Sequence, residues 1–189
     1  MIPDIDKIEK RLLELESARD KAMQLSRELI RTAGRAITLL HARDIKGANA
    51  LFKKLEENRS QLRKVEKGFE YHTLQAHQEY TEAMALRSII TSRRIPDAAS
   101  LGEEAAPYLL GIMDVVGELK REAFEAMRNN RLGDAKLYYS FMLDIYDSTL
   151  HMRFASSMLP DFRRKQDSAR IQIEGTINEI IYLEARGKK

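Results

Sequence analysis

The 189-residue chain contains no cysteine. That excludes disulfides, zinc–thiolate centres, iron–sulfur clusters and thiol nucleophiles, and it suits a reducing cytoplasm, where we expect the protein to work. Glycine and proline are scarce, at nine and four residues. Together they make up about 7% of the chain against an average near 12%, which argues against a loop-rich or all-β fold. No proline falls between Pro3 and Pro96. No apolar run approaches the ~20 residues of a membrane span, and the N-terminus does not read as a signal peptide, so no membrane partner is expected. Dinucleotide-binding and Walker glycine loops are missing, as is a serine nucleophile elbow. The four histidines are His41, His72, His77 and His151. None stands in a His-Glu-x-x-His or Glu-x-x-His pattern, which argues against zincins and di-iron bundles.

What is present is a chain 43% hydrophobic and 32% charged, a globular composition. Its net charge of +3 is unevenly spread. Residues 1–68 carry 16 Lys/Arg against 11 Asp/Glu, residues 69–130 carry 6 against 10, and residues 131–189 carry 10 against 8. A basic first third beside an acidic middle suggests a polyanion-facing surface and a separate carboxylate cluster. An uneven but merely solvated helical surface is the plainer explanation of charge taken alone.

Apolar residues at Ile5, Ile8, Leu12, Leu15, Ala18, Ala22, Leu25, Leu29, Ala33, Ala36 and Leu40 recur every three or four positions. That is the stripe of one helix ending near His41, more than about 50 Å long at 1.5 Å per residue. A second helix is expected from about Ile45 to Gly68 and a third from about Phe69 to Ser92. Arg93 to Gly102 reads as a loop. Ser100, with Glu103 in the capping-box position, is expected to cap a fourth helix starting near Glu104–Pro107 and stopped by Asn129-Asn130. A fifth runs from about Leu132 to Met152. A turn or short stub follows, stopped by Pro160, and a last helix spans Asp161 to about Arg186. No segment alternates with period two, and no composition break divides the chain. The reading is a single all-α domain over residues 1–189, a bundle of six or seven helices.

Two of these helices carry acids in line with apolar residues. Glu79 and Glu82 are three apart and share a face with Leu86 and Ile89. On the fifth helix Asp147 stands in line with Ser140, Leu143 and Leu150. An ionised carboxylate in a helix interface is costly unless paired or bound to a cation. Packing the two helices together brings Glu79, Glu82 and Asp147 to one point. An oxygen-only set of this kind suits Mg2+ or Mn2+. The plainer alternative is that Asp147 pairs with an arginine or caps a neighbouring helix. Asp114 and Glu118, four apart on the fourth helix, are a weaker pair that reads also as a surface ladder with Arg121.

Arg27, Arg31 and Arg35 step by four along one face of the first helix, a spacing able to track phosphates, although a solvated face is commoner. Arg163-Arg164-Lys165 is a second basic cluster with the same two readings. Tyr138, Tyr139 and Tyr146 offer stacking rings, but tyrosine within a helix is more often core.

The segment Leu74 to Ala83, with Gln78-Glu79-Tyr80 followed by Glu82-Ala83, resembles the Gln-Glu-Tyr-Val-Glu-Ala motif of the translin-associated factor X type of the translin family. Tyr108-Leu109-Leu110-Gly111, with Asp114 and Gly117-Glu118-Leu119, resembles that subunit's fourth-helix signature. Phe141 with Tyr146-Asp147 is similar to its fifth-helix motif, and Glu174 to Gly187 to the family's closing helix. The resemblance spans most of residues 5–187.

The resemblance implies a seven-helix all-α fold assembled into hollow octamers. It implies a Mg2+-dependent endoribonuclease acting on RNA, with catalytic and metal-binding roles on Glu79, Glu82 and Asp147. His72 echoes part of the family's basic nucleic-acid segment, alongside Arg27, Arg31 and Arg35. The chain resembles a prokaryotic, archaeal-type homologue acting as a homo-oligomer. The alternative is a non-catalytic scaffold of the same fold that binds single-stranded RNA or DNA. A more distant one is a helical adaptor that binds proteins through its first helix.

Overall fold

The structure, a computed structural model, describes residues 3–187 and is all-α. Among the described residues there are seven helices and no strand: α1 (Ile5–His41), α2 (Ile45–Arg63), α3 (Glu70–Ser92), α4 (Ala98–Leu101), α5 (Ala105–Arg128), α6 (Leu132–Thr149) and α7 (Phe162–Gly187). The chain forms two compact units, Met1–Tyr80 and Thr81–Lys189, and the boundary falls inside α3. No described helix is long and apolar enough to cross a membrane.

In the first unit α1 runs for 37 residues, about 55 Å, and packs against α2. The turn between them is tight. Arg43 takes a left-handed φ of 61°, and the Asp44 carboxylate caps α2 by accepting from the Gly47 amide at 2.9 Å. A Cβ at position 47 would lie 2.9 Å from Asp44 Cγ and 3.1 Å from Leu39 Cδ1, so this cap requires glycine. Ala22, Leu25, Leu29, Ala33, Ala36 and Leu40 of α1 are buried, as are Ala48, Phe52, Leu55 and Leu62 of α2. Each large side chain among them contributes roughly 1.5–3 kcal/mol of burial free energy. One polar pair is set into this core: Asn58 Nδ2 donates to Thr32 Oγ1 at 3.2 Å, and that hydroxyl donates to the Glu28 carbonyl at 2.8 Å.

The apolar stripe of α1 does not stay buried along its length. Ile5, Ile8, Leu12 and Leu15 are exposed, and burial begins only at Ala22. The second helix stops at Arg63, short of the expected Gly68, whose φ of 87° belongs to the turn into α3.

In the second unit α5, α6 and α7 pack on one another. Leu110, Val115, Val116, Leu119 and Ala123 of α5 are buried, with Tyr138, Met142 and Ile145 of α6 and Phe162, Ala169, Ile173 and Ile180 of α7. The last turn of α6 is tied to α7 through Gln166, whose Nε2 donates to the Thr149 carbonyl at 2.7 Å. That bond satisfies one of the carbonyls a helix leaves open at its C-terminus.

The expected Ser100 cap is not what forms. Asp97 caps the short α4, accepting from the Ser100 amide at 2.7 Å, and Gly102 ends it with φ 64°. A proline–aspartate pair stops one chain direction and caps the next turn, which outcompetes the serine three residues on. Helix α5 then starts at Ala105 with no side-chain cap. Pro107 lies in its first turn, where the missing amide hydrogen costs nothing. Asn129 and Asn130 end α5 as expected, Asn130 at φ 55°.

Candidate nucleic-acid interface and acidic positions

Arg27, Arg31 and Arg35 are all exposed on α1, while Leu25, Leu29, Ala33 and Ala36 of the same helix are buried. None of the three arginines makes an ion pair with a described residue, whereas the adjacent Glu28 is held by Lys54 at 3.1 Å. The helix therefore presents a column of uncommitted guanidinium groups at one-turn spacing. His72 is exposed in the first turn of α3. Its ring meets Phe69 and Tyr71 edge-on, with centroids 6.4 and 5.9 Å away.

Helix α3 carries Glu79 and Glu82 one turn apart, both half-buried. The line they lie on runs from exposed Gln75 to Leu86 and Ile89, both fully buried. Each acid has further interactions within the molecule. Asp147 is placed differently. It is exposed, as is Ser140, and Leu150 is 44% exposed, while Leu143 is half-buried, so this line of α6 lies mostly at the surface. The buried line of α6 runs instead through Ala135, Tyr138, Met142, Ile145 and Thr149. Both lines have helical spacing, and the sequence pattern does not say which of them meets α5 and α7.

The pair Asp114 and Glu118 on α5 is half-buried. Asp114 bonds across to Lys165 of α7, while Glu118 reaches Arg121 only at 4.0 Å. In place of a simple surface ladder, Asp114 reaches across to α7, and the Glu118–Arg121 contact is a long one. Glu122, one turn further along α5, is 1% exposed. Of the second basic cluster, Arg164 pairs with Asp161 at 3.2 Å and Lys165 is committed to Asp114. Tyr138 is core, with the Arg93 guanidinium 5.4 Å from its ring centre.

One buried polar cluster has no signature in the sequence. Glu66, in the link between α2 and α3, accepts from Thr73 Oγ1 at 2.8 Å and from His77 Nε2 at 2.7 Å, and its other oxygen faces Arg63 at 3.2 Å. Burial alone would raise the Glu66 carboxyl. The hydrogen bonds from His77 and Thr73, with the charges of His77 and Arg63, outweigh burial and hold it below its ordinary value. Eleven residues separate Glu66 from His77, and no local pattern marks them as partners.

Glutamate oxygens one turn apart suit a hard cation. Mg2+ keeps several waters and is usually held by one or two carboxylates together with substrate phosphates. Among the described residues, no three or more His, Asp or Glu side chains are gathered so as to hold a metal ion.

The helix order and lengths define a class of all-α protein represented among solved structures by C3PO. A structure of AfC3PO in complex with duplex RNA superposes with a TM-score of 0.90 at 28% identity, over 96% of this chain and 97% of that one. The crystal structure of apo-NeC3PO gives a TM-score of 0.88 at 26% identity, over 96% and 98%. No family model matches the sequence. An uncharacterized protein of Methanocaldococcus jannaschii, MJ0175, is 32% identical over 177 residues, 90% of this chain and 78% of that protein. The chain belongs to the translin family.

Proposed function

We propose that this protein is an RNA-binding oligomer with Mg2+-dependent endoribonuclease activity, of the translin-associated factor X type. The observation that carries the reading is the Glu79–Glu82 pair, half-buried in mid-helix in a fold shared with a protein solved on duplex RNA. Arg27, Arg31 and Arg35 supply the phosphate contacts and His72 a further one. Being unpaired among the described residues, the arginines engage a polyanion without first giving up an internal partner. Glu79 and Glu82 are the residues that would hold Mg2+ (or Mn2+). The bound ion would supply Lewis-acid stabilisation of phosphoryl charge and a water of lowered pKa. Their partial burial limits competing water and keeps the two side chains in few rotamers. The third acid assigned by resemblance is Asp147. Asp114, half-buried and paired with Lys165, is the other carboxylate to be tested for that role. The assembly is a homo-oligomer, octameric in the manner of the family, and the ligand is RNA or single-stranded DNA.

The test is cleavage of labelled RNA with and without Mg2+ by the wild type and by Glu82→Gln, Asp147→Ala and Asp114→Ala. Loss of a ligand should lower the rate more than about 100-fold, since outer-shell partners alone account for losses of that size. RNA binding should persist in Glu82→Gln. Full activity of Glu82→Gln, or activity untouched by EDTA, refutes the nuclease assignment. Binding without products in the wild type leaves the scaffold reading in its place.

A further inference from the structure

Between α6 and α7 the chain turns outward in a loop that is fastened at both ends. At its start Arg153 Nη1 donates to the Leu150 and Met152 carbonyls, both at 2.7 Å, and reaches Gln166 Oε1 of α7 at 3.4 Å. At its end Leu159 and Phe162 are buried. Between these anchors every residue from Arg153 to Met158 is exposed. Two of them are large and apolar. Phe154 is 55% and Met158 64% exposed, and Leu150, just ahead of the loop, is 44% exposed. The Phe154 ring is thus held out in water on a backbone tied down on either side.

Charge and size together say what fits there. Residues 147–167 carry four Lys/Arg against three Asp, so the overall charge is nearly balanced. The balance is not even, however. Arg164 is spent on Asp161 at 3.2 Å and Lys165 on Asp114. Arg153 bonds carbonyl and amide oxygens only, so no carboxylate among the described residues neutralises it. Arg163, three residues before Gln166 and on the same side of α7, is exposed and makes no ion pair with a described residue. The remaining acids, Asp147 and Asp167, are exposed and pair with neither arginine. Two unspent guanidinium groups therefore flank an outward ring, the pairing of cation and aromatic face by which proteins hold unpaired nucleotides. A large aromatic side chain offers roughly 150–250 Å2, so Leu150, Phe154 and Met158 at their observed exposures offer roughly 300 Å2 together. A stable protein interface takes about 800 Å2 from each partner. A helix lying on a bilayer presents a whole apolar face. The patch is too small for either and large enough for one or two bases.

We propose that the α6–α7 loop is a stacking site for an unpaired RNA base, with Phe154 against the base and Arg153 and Arg163 on the adjoining phosphates. The inference rests on the RNA-binding reading above and adds to it a contact that needs no metal. The chain has no tryptophan, so Phe154→Trp in the full-length protein is a single fluorescent reporter. With a short oligo(U) in EDTA at low salt, Phe154→Trp should lose emission as the base stacks. Phe124→Trp, which replaces an exposed ring beside Lys120 on α5, should not. Inorganic phosphate and a blunt RNA duplex, which offer no unpaired base, should leave the Phe154→Trp emission as it was. Phe154→Ala should weaken oligo(U) binding about tenfold, within the range for one stacked base, and Phe154→Tyr should not. The slope of log K against log salt should be unchanged in Phe154→Ala and smaller by about 0.7 in Arg163→Ala. A wild type that binds no RNA refutes the RNA-binding reading itself. RNA binding with Phe154→Trp unquenched, or with Phe154→Ala at wild-type affinity, overturns the loop assignment alone. Equal quenching by the blunt duplex or at Phe124→Trp overturns it too, as does a blue shift with phosphatidylserine vesicles in place of quenching by oligo(U), which means a membrane contact.

Discussion

Replacing Glu66 with alanine tests how α3 is held at its start. Glu66 lies in the link after α2, and both of its hydrogen-bond donors, Thr73 and His77, are on α3 one turn apart. The side chains of Glu66 and His77 are 6% and 4% exposed, so water does not replace what is removed. Removing one partner from a buried charged pair costs about 3–5 kcal/mol. Two features pull toward the lower end. The Thr73 hydroxyl can fall back on the Glu70 carbonyl, 3.3 Å away, and Arg63 is 31% exposed, which screens its share. We expect about 3 kcal/mol. With a urea m-value of about 1–3 kcal/mol/M, the midpoint of unfolding should fall by about 1.5 M. The pH dependence has a definite sign. The folded carboxyl is held below its ordinary 4.5, so its contribution is fully present above that value and is lost as pH falls through the depressed one. The part of the gap between wild type and Glu66→Ala that comes from the Glu66 carboxylate should therefore be lost as pH falls through that depressed value. A midpoint change under about 0.3 M at pH 7, or a gap that persists unchanged in acid, refutes the account.

Gly47→Ala should destabilise the first unit by about 1–2 kcal/mol, the range for losing a helix cap, because the new Cβ forces the Asp44 carboxylate off the Gly47 amide; urea unfolding checks it. The triple variant Arg27→Ala/Arg31→Ala/Arg35→Ala should weaken RNA binding without regard to sequence. It should also flatten the slope of log K against log salt by about 2–3, at roughly 0.7–0.9 for each phosphate the variant no longer neutralises. An unchanged slope removes these residues from the interface.

Helix periodicity alone makes most of the fold legible. The stripes of α1, α2, α5 and α7 mark helices because apolar steps of three and four leave no other regular structure for them. What periodicity cannot say is what covers a stripe. Ile5 and Leu29 belong to one pattern, yet Leu29 is fully buried and Ile5 is 47% exposed. The cap at the α4 turn is ambiguous in sequence because Ser100 and Asp97 both suit it, and the choice depends on where the chain bends after Pro96. The acids divide in the same way. Glu79 and Glu82 are recognisable because a tight motif fixes their spacing and the apolar residues after them fix their face. Asp147 reads as part of a core line because α6 has two lines of equal spacing, and the structure buries the other one. Glu66 and His77 are invisible, since nothing local joins residues eleven apart across a turn.

That division also sets how the variants of the acidic residues should be read. Asp147 is exposed and makes no ion pair with a described residue, so the fold does not depend on it. Its replacement by alanine should leave stability within about 0.5 kcal/mol, as for most surface substitutions. Any activity lost in Asp147→Ala is then a loss of chemistry or of substrate binding. Asp114 is different, because its removal strands Lys165, whose side chain is 17% exposed. A cost of roughly 1 kcal/mol follows even after screening, and a drop in activity must be compared with that of Lys165→Ala, which breaks the same pair while keeping the carboxylate. If Asp114 serves the reaction, Asp114→Ala must lose far more rate than Lys165→Ala. If the two fall together, the pair is architecture, and the third acid has to be Asp147 or none.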